Sequence, residues 1–231
     1  MIIKGFQGTS LIDYPGNVAS IIFTAKCNFR CRYCYNQGLV MNSSELPEIK
    51  PEKILSELLR RKKFIDGLVV TGGEPTLHSD LPFFLKKVKD IGLKVKLDTN
   101  GTNPDMIAGL IKKGLVDYIS MDVKAPLGKY EDVVGLKADT EAITESISII
   151  KKSNIEYEFR TTVLPCLLSK QDLHKIGELL KGSKKYCLQQ FKSMPGVMDE
   201  SLKNKPPYTR EELEELKKEL AEYYDEIEVR T

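Results

Sequence analysis

The alternation of short apolar runs with amphipathic segments is the feature that most restricts the fold of this chain. Six runs predict strands, at residues 18–24, 67–71, 94–98, 118–122, 156–163 and 186–191. Several have the continuous apolar character of parallel strands that are covered on both faces. Amphipathic helices are predicted between them, at residues 51–61, 81–91, 104–113, 140–152 and 170–180. This order favours an α/β fold in which right-handed crossovers connect parallel strands.

The length of the chain limits how far such a sheet can close. A closed eight-stranded barrel usually needs about 250 residues, and this chain has 231. We therefore predict a single domain, residues 1–231, built as an incomplete (β/α)6 TIM-like barrel that is open on one side. A polar lead-in (1–17) precedes the barrel core (18–191). The C-terminal part (192–231) contains a long loop at 193–208, a charged helix at 210–224 and a seventh strand or edge addition at 226–230.

Charge and hydropathy exclude several classes of partner. The 35 basic and 33 acidic residues leave a net charge of +2, which gives no reason to propose nucleic acid or an anionic membrane. Residues 1–13 lack the features of a secretory signal, and no apolar run approaches the roughly 20 residues of a membrane span. We expect a cytoplasmic protein. Its five cysteines are too few, and odd in number, for a disulfide scaffold.

Three of the five cysteines, Cys27, Cys31 and Cys34, lie within eight residues directly after the first predicted strand. Thiolates at this spacing can converge from one loop onto one face of an iron–sulfur cubane. A [4Fe–4S] cluster normally takes four cysteines, so three would leave one iron open to a small chelating ligand. A zinc-binding module and reduced structural thiols are alternatives. The remaining candidate ligands are isolated in the sequence: His78, Cys166, His174 and Cys187.

Small and polar residues follow the ends of the later strands, where α/β enzymes place their sites. The glycines of Thr71-Gly72-Gly73-Glu74-Pro75 would let the backbone approach a ligand closely. Asp122 and Lys124 are two residues apart and project from one face of their strand, either as a surface ion pair or as part of a site. The residues at these strand ends are Gly72, Gly73, Glu74, Asp98, Thr99, Asn100, Asp122, Lys124, Arg160, Gln189 and Gln190.

The C-x3-C-x2-C spacing, with Tyr33 before the last cysteine, resembles the cluster loop of radical S-adenosylmethionine (SAM) enzymes. The resemblance continues at successive strand ends from about Gly5 to Phe191. It implies a [4Fe–4S] cluster on the three cysteines and SAM as the second cofactor. The cofactor-binding residues that it implies are Tyr33, Gly72, Gly73, Glu74, Asp98, Asn100, Asp122, Lys124, Arg160 and Gln190, with Gln189 as the alternative to Gln190.

Individual roles follow from the same resemblance. The Gly72–Glu74 segment resembles the one that binds the amino group of the methionine moiety, and Lys124 would meet the carboxylate. Activating enzymes often have a histidine near the adenosine where this chain has Gln190 or Gln189. In pyruvate formate-lyase activating enzyme, a monovalent cation lies near the positions that match Asp98, Thr99 and Asp122.

The lead-in Ser10-Leu11-Ile12-Asp13-Tyr14-Pro15-Gly16 closely resembles the start of anaerobic ribonucleoside-triphosphate reductase activating proteins. It implies a radical SAM oxidoreductase that activates a large glycyl radical enzyme, with a flavodoxin or ferredoxin as reductant. The chain has no second C-x2-C group for auxiliary clusters. An alternative is a radical SAM enzyme that acts on a small molecule, similar to the 7-carboxy-7-deazaguanine synthases.

Overall fold

The computed structural model describes residues 1–231 and contains one sheet of eight strands, whose order in space follows the order in the chain. β1 pairs antiparallel with β2, and every later pair is parallel. β1 and β8 are therefore the two edges of the sheet, and the expected α/β partial barrel is confirmed. The strands are β1 Ile3–Ser10, β2 Ala19–Thr24, β3 Gly67–Gly72, β4 Lys94–Thr99, β5 Tyr118–Asp122, β6 Glu156–Val163, β7 Ser183–Gln190 and β8 Tyr224–Arg230.

Helices follow the parallel strands and cover the outside of the sheet. Pro51 and Pro104 stand in the first turns of two of them, where proline removes no intrahelical hydrogen bond. Ser169 and Thr209 begin two others with capping boxes. The helices are α1 Gln37–Met41, α2 Pro51–Arg61, α3 Leu81–Ile91, α4 Pro104–Lys112, α5 Tyr130–Val134, α6 Thr140–Lys152, α7 Lys170–Leu180 and α8 Arg210–Leu220.

The two ends of the chain differ most from the sequence-based expectation. The lead-in contains a complete strand, β1, which the sequence pattern did not predict because most of its side chains are only half-buried. At the other end, β8 is a full parallel strand beside β7. The preceding helix α8 stops at Leu220, since residues 221–223 tighten into a 3-10 turn.

The barrel interior contains charged side chains beside a small apolar cluster, whereas the helices bury a large apolar layer against the outside of the sheet. Ile54, Leu58 and Leu85 are among the helical side chains with 1% exposure or less. Inside the barrel, the buried residues include Lys96 and Glu158. Tyr14, 3% exposed, packs edge-on against Tyr118 with ring centroids 5.9 Å apart. The chain has no helix of the length and hydropathy that a membrane crossing requires.

Candidate functional site

A cavity of about 300 Å³ lies at the carboxyl ends of the parallel strands. It brings together all but one of the predicted cluster-binding and cofactor-binding residues. Those that line it are Cys27, Cys31, Tyr33, Cys34, Gly72, Gly73, Glu74, Asp98, Asn100, Asp122, Lys124 and Arg160, together with Thr99. Segments that are far apart in sequence meet there because parallel strands all end at the same edge of a sheet.

The cysteine loop is held against α5 by its backbone. The Arg30 N–H donates to the carbonyl of Val134 at 2.8 Å, and the Arg32 N–H donates to that of Val133 at 3.2 Å. Within the loop, the Cys34 N–H donates to the Cys31 carbonyl at 2.9 Å. These bonds define the course of the loop between its first and last cysteine without using the thiols.

The thiols lie in a buried setting that disfavours their charged form. Burial raises the pKa of Cys31 to about 11, although the positive charge of Lys124 opposes the shift. Burial also raises the pKa of Cys27, whose Sγ accepts the Phe29 N–H at 3.4 Å. Iron–sulfur and zinc sites bind thiolates, so metal binding here must displace protons. No three His, Cys, Asp or Glu side chains surround one point as the ligands of a single ion would.

Two glycines allow the end of β3 to pack closely against the backbone that leads into the cysteine loop. Gly72 has φ 115°, a left-handed conformation that favours glycine. A Cβ on Gly73 would lie 1.8 Å from the carbonyl oxygen of Lys26, which is backbone and cannot swing aside. The Gly73 N–H donates to the Thr24 carbonyl at 2.8 Å, and the Glu74 N–H donates to that of Lys26 at 2.8 Å. Only glycine permits this approach between the two segments.

Glu74 joins the ends of β3 and β4. Its side chain is buried, with 1% of the residue exposed. One carboxylate oxygen accepts the Thr99 hydroxyl at 2.7 Å and the Thr76 hydroxyl at 2.6 Å, and the other accepts the Asn100 N–H at 2.7 Å. Burial raises the pKa of Glu74, and these hydrogen bonds oppose the shift by favouring the carboxylate. The carboxylate therefore holds the ends of β3 and β4 together and also lines the cavity.

Charged side chains from β4, β5 and β6 form a network on the opposite wall. The Arg160 Nε donates to Asp122 at 2.9 Å, and its Nη1 donates to Asp98 at 3.3 Å. Lys124 Nζ lies 3.5 Å from Asp122 and 5.8 Å from the centroid of the Tyr33 ring. Burial would raise the pKa of Asp122, but Arg160 and Lys124 outweigh it and lower the pKa to about 2. The cavity thus holds a carboxylate between two cations at neutral pH.

The sequence did not decide between two adjacent glutamines, and the structure separates them. Gln189 lines the cavity. The Gln190 side chain instead donates to the carbonyl of Tyr208 at 2.9 Å and lines a neighbouring cavity. Of the two alternatives, Gln189 is therefore the one that lines the same cavity as the other predicted cofactor-binding residues. The reason is the alternation of side chains along β7, which sends neighbours to opposite faces.

Several lining residues were missed in the sequence, and two of them directly follow the last cysteine of the loop. Tyr35 stacks on Phe191 with ring centroids 5.7 Å apart and donates its hydroxyl to the Lys192 carbonyl at 2.6 Å. Asn36 Nδ2 donates to the Gly72 carbonyl at 3.2 Å. Their position after Cys34 was the available signal, since the loop must return across the cavity to reach α1.

The isolated cysteines and histidines lie outside this cavity. Cys166 is exposed and Cys187 is buried. His78 Nε2 is 3.0 Å from the Ala25 carbonyl, and His174 Nε2 is 3.3 Å from Glu219. None of the four lines the cavity with the three clustered cysteines.

The residues of the cavity suit an iron–sulfur cluster with a small zwitterionic ligand. Three thiols share one wall, the Gly72–Gly73 backbone allows close approach, and Lys124 supplies a cation beside them. The fold is that of an α/β barrel, and this site has the thiols and the charged side chains that such a cluster and its ligand would require.

Comparison with known proteins agrees with this class. The family model described as the radical SAM superfamily matches residues 21–181. A Methanocaldococcus jannaschii protein, provisionally named a glycyl-radical enzyme activating enzyme, is 34% identical over 100% of this chain and 96% of its own length. The chain belongs to the radical SAM superfamily.

Other relatives carry different names. A protein of Sulfurisphaera tokodaii, provisionally named a GTP 3′,8-cyclase, is 28% identical over 91% of this chain and 66% of its own length. A Thermoplasma acidophilum 7-carboxy-7-deazaguanine synthase is 36% identical over 55% of this chain and 56% of its own. Similarity to the superfamily therefore does not by itself specify a substrate.

The same fold occurs in solved structures. Streptococcus suis SuiB, in a crystal structure bound to S-adenosylmethionine, superposes with a TM-score of 0.70 at 15% identity. The match covers 91% of this chain and 50% of the SuiB chain, so the present chain corresponds to about half of that protein. At this identity the likeness shows the fold alone.

Proposed function

We propose that this radical SAM enzyme activates a glycyl radical enzyme by removing a hydrogen atom from a glycine of that partner. The observation that carries the proposal is the relative from Methanocaldococcus jannaschii, which matches the chain over its whole length. That relative is named for this activity, whereas the relatives named for small-molecule reactions match smaller parts of their own chains.

The opening of the barrel supports a protein substrate. The cavity at the carboxyl ends of the strands, in which we place the cofactors, is called the cofactor cavity below. A second cavity, of about 600 Å³, shares Asp13, Tyr35, Arg160 and Gln189 with it. Its walls include Ile12, Asp13 and Pro15, which follow β1, and Glu228, Arg230 and Thr231 at the end of the chain. It therefore lies between the two edges of the sheet, where a partner's loop can reach the cofactor without passing through a closed wall.

In this proposal each group of the cofactor cavity has a task. Cys27, Cys31 and Cys34 hold three irons of a [4Fe–4S] cluster. The Gly72–Glu74 segment, with Asp98 and Asn100, orients the amino group of SAM, and Lys124 neutralises its carboxylate. Tyr33, Asp122, Arg160 and Gln189 complete the pocket.

The chemistry would belong to the bound cofactors: with one electron from a flavodoxin or ferredoxin, they would supply a 5′-deoxyadenosyl radical by cleavage of SAM, with methionine as the other product. The protein positions the glycine so that its α-hydrogen passes to that radical, giving 5′-deoxyadenosine and a glycyl radical. The barrel wall keeps solvent away from the reacting atoms. The monovalent cation that the family resemblance implies stays a prediction. In the structure, Asp98 pairs with Lys96 and Asp122 pairs with Arg160.

A second candidate is a small-molecule reaction similar to that of the 7-carboxy-7-deazaguanine synthases. The similarity to the Thermoplasma acidophilum enzyme favours it, as does the polar lining of the second cavity, which includes Lys96, Glu158 and Lys192. The two candidates differ in the substrate that must be added: the first requires a partner protein, and the second requires a small molecule.

Anaerobic reconstitution tests the proposal. We expect absorbance near 400 nm and about four irons per chain, with SAM cleaved to 5′-deoxyadenosine on reduction. C31A should lose cleavage and C166A should keep it, because only the first removes a cluster ligand. Adding a glycyl radical enzyme encoded beside this protein should produce a glycyl radical detectable by electron paramagnetic resonance. SAM cleavage that no such partner converts into a glycyl radical would contradict the activating role, and turnover of a purine or pterin precursor would support the second candidate.

A further inference from the structure

The end of β8 reaches into the barrel through Arg230. Its Nη1 donates to Glu158 Oε1 at 3.0 Å, and its Nη2 donates to Oε2 at 2.7 Å. This is the bidentate geometry in which a guanidinium binds a carboxylate most strongly. Glu228, on the same strand, accepts the remaining Arg230 bonds at 3.1 and 3.0 Å.

Glu158 needs this partner because its carboxylate is almost completely buried. Its side chain is 1% exposed. Besides Arg230, its donors are the Ser120 hydroxyl at 2.8 Å and the Tyr118 hydroxyl at 3.3 Å, both neutral. A buried carboxylate without a compensating cation is strongly unfavourable, so it attracts any cation that lies nearby.

Two other cations are close to Glu158, and both are held elsewhere. Arg160 lies two residues further along β6, on the same face of the strand. Lys96, from β4, lines the same cavity and is 2% exposed. Arg160 binds Asp122 and Asp98, and Lys96 binds Asp98 at 2.5 Å. Each cation therefore makes its direct hydrogen bonds to the carboxylates at the strand ends, and its charge acts on Glu158 only from a distance.

We propose that Arg230 is a positioning residue for the cofactor cavity: by saturating Glu158, it leaves Arg160 and Lys96 bound to Asp98 and Asp122. The inference rests on the proposed placement of SAM beside Arg160. Without Arg230, Glu158 competes for Arg160 and Lys96, and the wall that faces the nucleoside is rearranged. A strand at the open edge thereby controls a site at which none of its own side chains is a predicted ligand.

The test compares variants in the reconstituted enzyme. R230M should weaken SAM binding about tenfold, since couplings within a charged network are of this order. Iron content should stay unchanged, because β8 makes its hydrogen bonds and ion pairs to β6 and β7 and none to the cysteine loop. The double variant E158Q/R230M should recover affinity to within about threefold of wild type, as no uncompensated carboxylate remains. R230K keeps the positive charge but loses the bidentate geometry of the guanidinium. Its SAM affinity should lie between those of R230M and wild type.

K185M is the matched control. Lys185, on β7, also pairs with carboxylates of β8, through Glu226 at 2.8 Å and Glu228 at 3.0 Å, but it does not line either cavity. Its loss should affect thermal stability and leave SAM affinity unchanged. The spectrum of the reduced cluster with SAM should change in R230M and not in K185M.

Two outcomes would overturn the inference. One is unchanged SAM affinity in R230M and R230K, with or without lower thermal stability, which would make Arg230 a structural residue only. The other is a double variant that binds SAM as weakly as R230M. If R230M fails to fold, R230K and the double variant decide the question. Absence of SAM binding in the wild type would count against the proposed function instead.

Discussion

The carboxylate of Glu74 accepts a hydrogen bond from the hydroxyl of Thr99 at 2.7 Å, in a position where neither residue is exposed by more than 2%. The bond joins the ends of β3 and β4. Both carboxylate oxygens of Glu74 act as acceptors, because the second one binds the Asn100 N–H. The two strand-end segments therefore form one rigid wall of the cofactor cavity.

E74Q should lower the free energy of unfolding by about 1–3 kcal/mol, the usual cost of leaving buried groups unsatisfied. The amide must turn its NH2 group toward hydrogen-bond donors whichever way it is oriented. Urea denaturation measures the effect. E145Q, at an exposed glutamate on α6, is the control and should stay within about 0.5 kcal/mol of wild type. Equal stability of the two variants would show that the carboxylate is dispensable to the wall.

G73A should prevent normal cluster assembly, since its Cβ would overlap the Lys26 carbonyl and push the cysteine loop away. Iron content after reconstitution is the measurement. Gly109 lies in α4 with no atom near its added Cβ. G109A should therefore stabilise the protein by roughly 0.5–1 kcal/mol and retain its iron. Full iron loading in G73A would contradict the close packing of these two segments.

K124M should weaken SAM binding about tenfold or more, the effect of losing one charge-assisted contact. Burial would lower the pKa of Lys124, but the nearby Asp122 raises it well above the usual value, so the side chain is charged at neutral pH. Equilibrium binding to the reconstituted enzyme measures the change. K129M removes a half-exposed lysine that pairs with Asp172 and should bind SAM normally. Equal SAM affinities of K124M and K129M would show that Lys124 does not contact SAM.

In metal-free protein, iodoacetamide should modify Cys166 first and Cys187 last. Cys166 is exposed, whereas Cys187 has 0% exposure and burial raises its pKa to about 12. The thiolate is the reactive form, so both accessibility and pKa slow the reaction of Cys187. Mass spectrometry of timed samples gives the order, and in urea the difference should disappear. Early modification of Cys187 in the folded protein would show that β7 opens readily.

Stability should fall in acid partly because of Glu158. Burial would raise the pKa of Glu158, but Arg230 and Arg160 outweigh it and lower the pKa to about 2. Because the folded pKa lies below the ordinary value of 4.5, the stabilisation is complete above that value and is lost as pH falls through the folded pKa. E158Q should flatten the decline in unfolding free energy between about pH 5 and pH 2. An unchanged slope would mean that Glu158 titrates normally.

Local patterns in the sequence predicted most of the barrel. The runs at 67–71, 94–98 and 118–122 became β3, β4 and β5 with a shift of at most one residue. β3 and β5 are mostly apolar, and β4 alternates polar with apolar residues; both patterns indicate strands. β1 escaped detection because an edge strand with half-buried side chains has no such pattern. It pairs with β2 through backbone hydrogen bonds, and these leave no pattern in the side chains of the sequence.

The sequence by itself determined that three cysteines share one loop and that polar residues close successive strands, because both are facts of spacing. Only the tertiary structure decided which of them meet. It directed Gln189 rather than Gln190 to the cofactor cavity, since the face of a strand depends on its register in the sheet. It also brought Arg230 to Glu158 across 72 residues of sequence. A charge pair of that separation forms only when the whole sheet has assembled, so it is invisible to any local pattern.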